Sequence, residues 1–293
     1  MMLDAAFFDR LSRLRLAMGY KSLMNMAGNR KSMQKGSSTE FSDFREYMPG
    51  DDIRRIDWNA YGRLDRLYVK EYMEEKEAVV SILIDTSASM DYGAKKKGEL
   101  ACMLAAALAY MGLNNMDRVV LYDMQNMQQP FMAGSGKKSL PMLTGFLSRL
   151  SFGGRGDIEE AVRRLPARGA GVAIIISDFL QDVFVEQESE ALAKLLRYLN
   201  YRKQRTVLLH VLAGEELSVG LTGTTNLIDM EEKSVLSLTL DAASIREYDA
   251  ALQVFVSGLR RACAKAGAHY AICSTEREID KLIFEDLRKL YDI

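Results

Sequence analysis

Acidic and hydroxyl side chains follow a strongly apolar segment in the sequence VVSILIDTSASM, residues 79–90. Asp85 stands at the end of the apolar run, and Ser87 and Ser89 follow it at alternate positions. A second apolar segment, VAIIIS, is followed in the same way by Asp178. Carboxylate and hydroxyl oxygens are hard ligands of the kind that Mg²⁺ prefers. These four residues therefore predict a divalent-cation site, provided that the fold brings the two segments together.

Short apolar segments alternate with amphipathic ones throughout residues 78–293. The predicted strands are AVVSILI, DRVVLYDM, GVAIIIS, RTVLLHVL and AHYAICS, and the predicted helices between and after them include GELACMLAAALAYMGL, SEALAKLLRYLNYRKQ and a long helix over 241–266. This alternation predicts an α/β fold with a doubly wound, mostly parallel sheet of Rossmann-like type, covered by helices on both faces. We also predict an edge hairpin at QQPFMAGSGKKSL and an inserted hairpin near 225–240.

The strands that precede Asp85 and Asp178 are almost wholly apolar, which favours central positions in the sheet. Ligands of open α/β sheets bind beyond the carboxyl ends of the strands, at the point where the strand order reverses. If these two strands are neighbours, both carboxylates converge on that point. Ser87 and Ser89 then bring their hydroxyl groups to the same place.

Residues 1–77 read as a separate region made of a helix, a linker and a charged segment. The opening segment has apolar residues at helical intervals, namely Phe7, Leu11, Leu14 and Met18, and arginines lie between them. Such a basic amphipathic helix either docks on the rest of the fold or contacts a membrane surface. Residues 28–40 are small and basic without periodicity, which indicates an exposed linker.

The spacing Asp-x-Ser-x-Ser after an apolar strand resembles the metal-ion-dependent adhesion site of von Willebrand factor A domains. The resemblance implies a further Asp after a later strand, which Asp178 matches, and a Thr from a second loop. That loop reads FGGRGDIEEAV here and places Gly156, followed by Asp157, where the family has Thr and Asp. We therefore expect a partly degenerate site for Mg²⁺, Mn²⁺ or Ca²⁺ with reduced affinity. Asp157 is also well placed to cap the following helix, with Glu160 as its capping-box partner.

A longer resemblance covers FSDFREYMPGDDIRRIDWNAYGRLDRLYVKEYMEEKE, residues 41–77. This segment is similar to the signature of the bacterial "domain of unknown function 58" family, in which it precedes a von Willebrand factor A-like domain. The resemblance spans nearly the whole chain. It implies that the protein is a non-enzymatic adaptor that acts with a MoxR-type AAA+ ATPase.

The signature segment carries closely spaced acidic and basic residues around a single tryptophan. The residues in question are Arg45, Asp51, Asp52, Arg54, Arg55, Asp57 and Trp58. Pro49-Gly50-Asp51-Asp52 is typical of a turn in which Asp side chains accept hydrogen bonds from nearby amides. One interpretation is a salt-bridged strap that packs on the core with Trp58 as its apolar anchor. The other is a docking surface for a partner protein, and the two are compatible.

Composition and charge exclude several classes of protein. The chain has 293 residues, of which 48% are hydrophobic and 27% charged, so there is ample material for a globular core. A net charge of −1 does not suggest a nucleic-acid partner. The three cysteines lack metal-binding spacing and are expected to be free thiols. Without an apolar stretch of membrane-spanning length or a signal-peptide core, we expect a soluble, cytoplasmic protein.

Catalytic motifs are weak in this sequence. AGSGKKS, residues 133–139, lacks the glycine spacing of a phosphate-binding loop, and the two histidines carry no ligand spacing. We therefore expect no enzymatic activity. Two alternatives to a cation-dependent adaptor remain open: a metal-dependent hydrolase that uses the same acids to activate water, and a protein that binds its partner through the strap without any metal.

Overall fold

The computed structural model of the protein describes residues 5–16, 39–74, 79–115, 117–134, 136–166, 171–181, 184, 190–218, 223–228 and 235–292. The chain divides into two compact units, one made of Met1–Leu23 and Ala78–Ile293 and the other of Met24–Glu77. We call the first the sheet unit and the second the signature unit.

The described part of the chain contains short strands in both units. They are β1 (Arg15–Leu16), β2 (Thr39–Glu46), β3 (Tyr68–Glu74), β4 (Val79–Ile84), β5 (Arg118–Asp123), β6 (Phe131–Ala133), β7 (Gly171–Ser177), β8 (Gln204–Leu212), β9 (Gly223–Ile228), β10 (Val235–Leu240), β11 (His269–Ser274) and β12 (Tyr291–Asp292). Of these, β2 and β3 belong to the signature unit.

The helices range from a single turn to seven turns. They are α1 (Ala5–Leu11), α2 (Trp58–Leu64), α3 (Lys97–Asn114), α4 (Leu140–Leu147), α5 (Ile158–Arg164), α6 (Glu190–Tyr201), α7 (Gly214–Leu217), α8 (Ala242–Ala266) and α9 (Ile279–Lys281). Of these α-helices, which all belong to the described residues, α2 lies in the signature unit.

A six-stranded sheet forms the centre of the sheet unit, in the order β11-β8-β7-β4-β5-β6. All pairings are parallel except that of β6, which runs antiparallel to β5 at the edge. The prediction of a mostly parallel α/β sheet is therefore confirmed. The prediction of an edge hairpin within QQPFMAGSGKKSL is wrong, because the described residues of this segment supply one strand, β6, which pairs with β5, and a short 3-10 helix at Lys137–Ser139 follows it. The chain runs from β4 outward to β5 and then crosses back to β7 on the other side of β4. The strand order thus reverses between β4 and β7.

Helices cover both faces of this sheet, and each face has its own apolar core. The α3 helix is the main element on one face, where Leu104, Leu108 and Met111 are fully buried. The α6 helix packs on the other face through leucines at helical spacing, among them Leu192 and Leu196. Strands β4 and β7 are apolar except at Ser81 and Ser177, as expected for strands that lie between the two cores.

The N-terminal helix is shorter than the apolar spacing predicted. It ends at Leu11, and Arg15 and Leu16 instead form a short antiparallel pair with the C-terminal strand β12. Phe7, Leu11 and Leu14 are buried in the core on the α3 face of the sheet unit. The apolar side of α1 therefore serves packing within this unit. Met18 and most of the predicted linker lie outside the described residues.

None of the helices in the described ranges has both the length and the apolar character needed to cross a membrane.

The inserted hairpin is formed by β9 and β10, which pair in an antiparallel sheet of their own. The three cysteines are buried free thiols, as their spacing predicted.

Candidate functional site

Asp85 and Asp178 follow two hydrogen-bonded neighbours in the sheet, β4 and β7, in which Ile84 pairs with Ile176. The pairing continues past the end of β4, because the Asp85 amide donates to the Ile176 carbonyl oxygen at 2.9 Å. Both carboxylates are almost completely buried, with 1% of each residue exposed. They lie at the point where the strand order reverses, which is where open α/β sheets bind ligands. The prediction that the two segments are adjacent is confirmed.

Hydrogen bonds to both of its oxygens hold the Asp85 carboxylate in place. Oδ1 accepts from the Ser87 amide at 2.9 Å, and Oδ2 accepts from the Ser177 hydroxyl at 2.5 Å. Burial is the main cause that raises the pKa of Asp85 above its ordinary value, and the nearby charge of Asp178 adds to it. The bonds from Ser177 and Ser87 offset part of this increase. Ionised Asp85 is therefore costly in the folded protein unless a cation compensates its charge.

The loop after Asp85 brings two hydroxyl groups together. The Oγ atoms of Ser87 and Ser89 lie 3.0 Å apart, with Ser87 buried and Ser89 half-buried. The neighbouring loop at 153–156 holds this loop in place, because the Ala88 amide donates to the Gly154 carbonyl and the Gly153 amide donates to the Thr86 carbonyl. Backbone bonds between two loops therefore position the serines.

A buried lysine binds the second carboxylate of the site. Lys97, at the start of α3, is 1% exposed, and its Nζ donates to Asp178 Oδ2 at 2.8 Å and to Glu216 Oε1 at 2.7 Å. Burial alone would lower the pKa of Lys97, but the charges of Asp178 and Glu216 outweigh this and raise the pKa above its ordinary value. The second oxygen of Asp178 accepts from the Leu180 amide at 3.1 Å. Asp178 is therefore engaged on both oxygens by groups of the chain itself.

The sequence interpretation missed Lys97 and Glu216, although one signal for the lysine was present. Lys97 precedes Leu100, Ala101 and Leu104 by three, four and seven residues, so helical periodicity places it on the buried face of α3. A lysine on such a face requires a buried acid as its partner. The acid could not be identified in advance, because Asp178 and Glu216 are 81 and 119 positions away.

Gly156 lies against the proposed site, as the loop resemblance predicted. A Cβ atom on this residue would come within 2.9 Å of Asp85 Oδ1 and 3.3 Å of Ser87 Cβ, so the glycine permits the close approach of the two loops. A threonine at this position would displace Asp85 before it could supply a hydroxyl ligand. Asp157 caps α5 by accepting from the Glu160 amide at 2.8 Å, whereas the Glu160 side chain pairs with Arg164.

Substitution of Gly156 by alanine is expected to lower the free energy of unfolding by about 1 to 3 kcal/mol, because the added methyl group overpacks the contact with Asp85. Gly153→Ala in the same loop is the matched control, since a Cβ there meets no atom within 4 Å. Urea unfolding of both variants tests this expectation. Equal stabilities of the two variants would show that the Asp85 contact is not tight.

The residues at this site fit a divalent cation by charge and by donor type. Asp85, Asp178 and Glu216 carry three carboxylates against the single ammonium of Lys97, a surplus of two negative charges when all four are ionised. Adjacent ligands of octahedral Mg²⁺ lie about 2.9 Å apart, given metal–oxygen distances of about 2.0–2.1 Å. The two serine hydroxyls match that separation.

Among the described residues, no group of three or more His, Cys, Asp or Glu side chains is arranged to hold a metal ion. A cation here would therefore depend on Asp85, on the hydroxyls of Ser87 and Ser89, and on water. The assignment of these residues and of Asp178 as ligands stays a prediction.

In the signature unit, β2 and β3 form an antiparallel hairpin, with α2 on the connection between them. Arg45 pairs with Asp51 at 2.8 Å, and Asp51 also accepts from the Met48 amide at 2.8 Å. Asp52 accepts from the Arg54 amide, and Asp57 caps α2. The structure confirms the predicted turn, in which Asp side chains accept hydrogen bonds from nearby backbone amides. The Arg55 side chain lies outside the described part of the structure.

Trp58 is 63% exposed, so its predicted role as the apolar anchor of a strap is wrong. Ile56 and Val69 are the buried apolar residues among the described side chains of this unit, and the two residues form a bridge across the connection. The Asp57 side chain caps α2 by accepting from the Asn59 and Ala60 amides, and Trp58 is the first residue of this helix, none of whose residues is buried. There its ring packs edge-on against Tyr61, with the centroids 6.2 Å apart.

The chain is similar to several known proteins. It is 26% identical over 259 residues to "Uncharacterized protein Rv1480" of Mycobacterium tuberculosis and to "Uncharacterized protein Mb1516" of Mycobacterium bovis, covering 86% of this chain and 79% of each relative. Among solved structures, BatB from Bacteroides thetaiotaomicron matches 73% of this chain and 98% of its own, with 14% identity and a TM-score of 0.40. An aerotolerance-related membrane protein from Bacteroides fragilis matches 72% of this chain and 99% of its own, with 16% identity and a TM-score of 0.37.

A family model described as "Protein of unknown function DUF58" matches residues 43–254. The match begins within the signature segment and extends into α8, so it includes Asp85, Ser87, Ser89 and Asp178. Because it covers well over half of the chain, this protein belongs to the DUF58 family.

Proposed function

We propose that the protein is a non-enzymatic interaction module that binds an acidic group of a partner protein through a divalent cation. Asp85, Ser87 and Ser89 would hold the cation. The observation that carries the proposal is the pair of hydroxyls 3.0 Å apart beside a buried carboxylate, at the point where the strand order reverses. A bound Mg²⁺ would supply a Lewis acid with an open position for a carboxylate oxygen.

Two features of the site favour binding over hydrolysis. Lys97 is held between two carboxylates, which favour its protonated form, so it cannot accept a proton as a base. His210 is fully buried, and its Nδ1 lies 2.6 Å from the Tyr270 hydroxyl. A hydrolase needs a group that accepts a proton from the attacking water within hydrogen-bond reach. Neither Lys97 nor His210 is placed for that role.

The partner we propose is a MoxR-type AAA+ ATPase, on the basis of the family resemblance. In this arrangement the ATPase is the enzyme, and this chain is the adaptor that links it to a client. Affinity capture of the ATPase on the immobilised protein, with Mg²⁺ and with EDTA, tests the partner and the cation together. Capture of the ATPase that persists unchanged in EDTA would contradict a cation-mediated contact.

Thermal unfolding of Asp85→Asn tests the cation site directly. We expect Mg²⁺ at ten times its dissociation constant to stabilise the wild type by about 1.4 kcal/mol and to leave Asp85→Asn unchanged. Without the cation, Asp85→Asn should be at least as stable as the wild type, because it removes a buried carboxylate whose pKa is raised. Asp91→Asn, at an exposed carboxylate paired with Lys96, is the control that retains the Mg²⁺ effect. An equal Mg²⁺ effect in Asp85→Asn would place the ion elsewhere.

A second candidate is partner binding through the signature unit without a metal, and the exposure of Trp58 favours it. Ile53 and Leu64 are also at least 60% exposed, so apolar surface is concentrated in this unit. Exposed tryptophans are enriched among the residues that dominate binding energies. Truncation of Trp58 to alanine is expected to change the free energy of unfolding by less than about 1 kcal/mol, since the ring is largely in water.

The same variant separates the two candidates in the capture experiment. If the signature unit is the contact, Trp58→Ala binds the partner at least tenfold more weakly than the wild type, both in Mg²⁺ and in EDTA. If the cation site is the contact, Asp85→Asn loses the partner and Trp58→Ala retains it. The fluorescence of Trp58, the only tryptophan, should already be that of a water-exposed indole in the folded protein.

A further inference from the structure

We propose that Lys97 is an internal cation that withholds Asp178 from the divalent ion, so that the ion is held firmly only when a partner supplies a second carboxylate. This inference rests on the proposed cation site and specifies how that site is regulated. It assigns a function to a buried lysine for which packing alone gives no reason, because burial of an ammonium group is costly unless acids pair with it.

The geometry around Lys97 supports this role. Its ammonium lies 2.8 Å from Asp178 Oδ2 and 2.7 Å from Glu216 Oε1, and it lies 5.7 Å from the centre of the Tyr92 ring. Glu216 is fixed in turn, since its second oxygen accepts from the Ala213 amide at 2.7 Å. The ammonium is therefore clamped between β7 and α7, and moving it away from Asp178 would leave buried charges without partners.

The ligands that remain for a divalent ion are few. Asp85 is one carboxylate, Ser87 and Ser89 are neutral, and Gly156 contributes no side chain. Affinity for hard divalent cations rises with the number of charged oxygen ligands. A site with one available carboxylate binds such ions weakly, and a carboxylate from outside the chain restores the missing charge. The ion and the acidic partner group should therefore bind together, each raising the affinity for the other.

A charge-neutral double variant tests the role of Lys97. Lys97→Met with Glu216→Gln removes one positive and one negative charge, so it frees Asp178 while the net charge of the site stays the same. We expect this variant to bind Mn²⁺, measured by electron paramagnetic resonance, at least tenfold more tightly than the wild type. Adding Asp178→Asn should abolish the gain. If the double variant fails to fold, Lys97→Gln with Glu216→Gln keeps a polar group at position 97 and carries the same expectation.

Coupling to an acidic group is measured with a short peptide that contains one glutamate and with its glutamine counterpart. The glutamate peptide should raise the Mn²⁺ affinity of the wild type at least fivefold, and that of the double variant by less than twofold. The glutamine peptide should have no effect on either protein.

The outcomes separate this inference from the proposed function. If the wild type binds Mn²⁺ through Asp85 and the double variant binds it no more tightly, Lys97 does not withhold Asp178, and only this inference is overturned. If neither protein binds Mn²⁺, the cation site itself is wrong. Tight binding by the double variant that survives Asp178→Asn would also overturn the role given to Lys97.

Discussion

Replacement of Lys97 by methionine is expected to lower the free energy of unfolding by about 3 to 5 kcal/mol at pH 7, because it leaves two carboxylates facing each other with no cation between them. Asp178 is 1% exposed, so water cannot take over the role of the ammonium. Urea unfolding at pH 7 measures the loss. Lys95→Met is the matched control, since Lys95 forms only an exposed pair with Glu276 and should contribute about 0 to 1 kcal/mol.

Two further measurements test the cause of this loss. The double variant Lys97→Met, Glu216→Gln should recover part of the stability, because only one buried carboxylate then lacks a partner. Lowering the pH should also reduce the deficit of Lys97→Met, because burial already raises the pKa of Glu216 and the Lys97 charge that opposes this increase is then absent. A loss below about 1 kcal/mol at pH 7 would mean that solvent reaches this cluster.

The second large effect is a loss of stability in acid that originates at His210. Burial is the largest cause that lowers the pKa of His210 to about 4, with the Lys97 charge acting in the same direction and the Asp178 charge acting against it. The unfolded chain takes up this proton near the ordinary value of about 6.5. Stability from the neutral ring is therefore fully present above about pH 6.5 and is lost as the pH falls to about 4. The shift corresponds to about 3 kcal/mol, at 1.36 kcal/mol for each pH unit.

A neutral substitution isolates this contribution from the carboxylates that titrate over the same range. The wild type and His210→Gln are unfolded in urea at pH 7.5 and pH 4.5, and the wild type should lose about 2 to 3 kcal/mol more than the variant between these two conditions. The ring resonances of His210 should keep their neutral positions down to about pH 5 in the folded protein. Titration of the folded protein near pH 6.5 would show that the ring is solvated.

Both effects have the same origin, since the carboxyl end of the sheet buries more ionisable groups than packing requires. Asp85, Asp178, Lys97 and His210 are all at most 1% exposed. The Asp178 charge raises the pKa values of Asp85 and Lys97 and opposes the lowered pKa of His210, to which the Lys97 charge contributes. Clusters of this kind are common at functional sites, where stability is given up for binding. We therefore expect ligand binding to this end of the sheet to stabilise the whole sheet unit.

The sequence by itself determined the α/β class, the order of the elements and the place of Asp85, Ser87 and Ser89 at the end of a buried strand. These features depend on short-range patterns: apolar runs, helical spacing and residues that cap or turn the chain. Asp157 illustrates this, because its bond to the Glu160 amide spans only three residues. The same local rules correctly placed Asp51 and Asp52 in a turn of the signature unit.

Only the tertiary structure decided which buried charges meet and which side chains face water. Lys97 contacts Asp178 and Glu216 across 81 and 119 residues, and no local pattern encodes the choice of partner. Helix α2 buries none of its residues, so Trp58 is exposed although its residue type favours burial. The contact of Gly156 with Asp85 likewise depends on the packing of two loops from distant parts of the chain. Burial and ion pairing are decided by the three-dimensional packing of elements, and the one-dimensional pattern constrains that packing only in part.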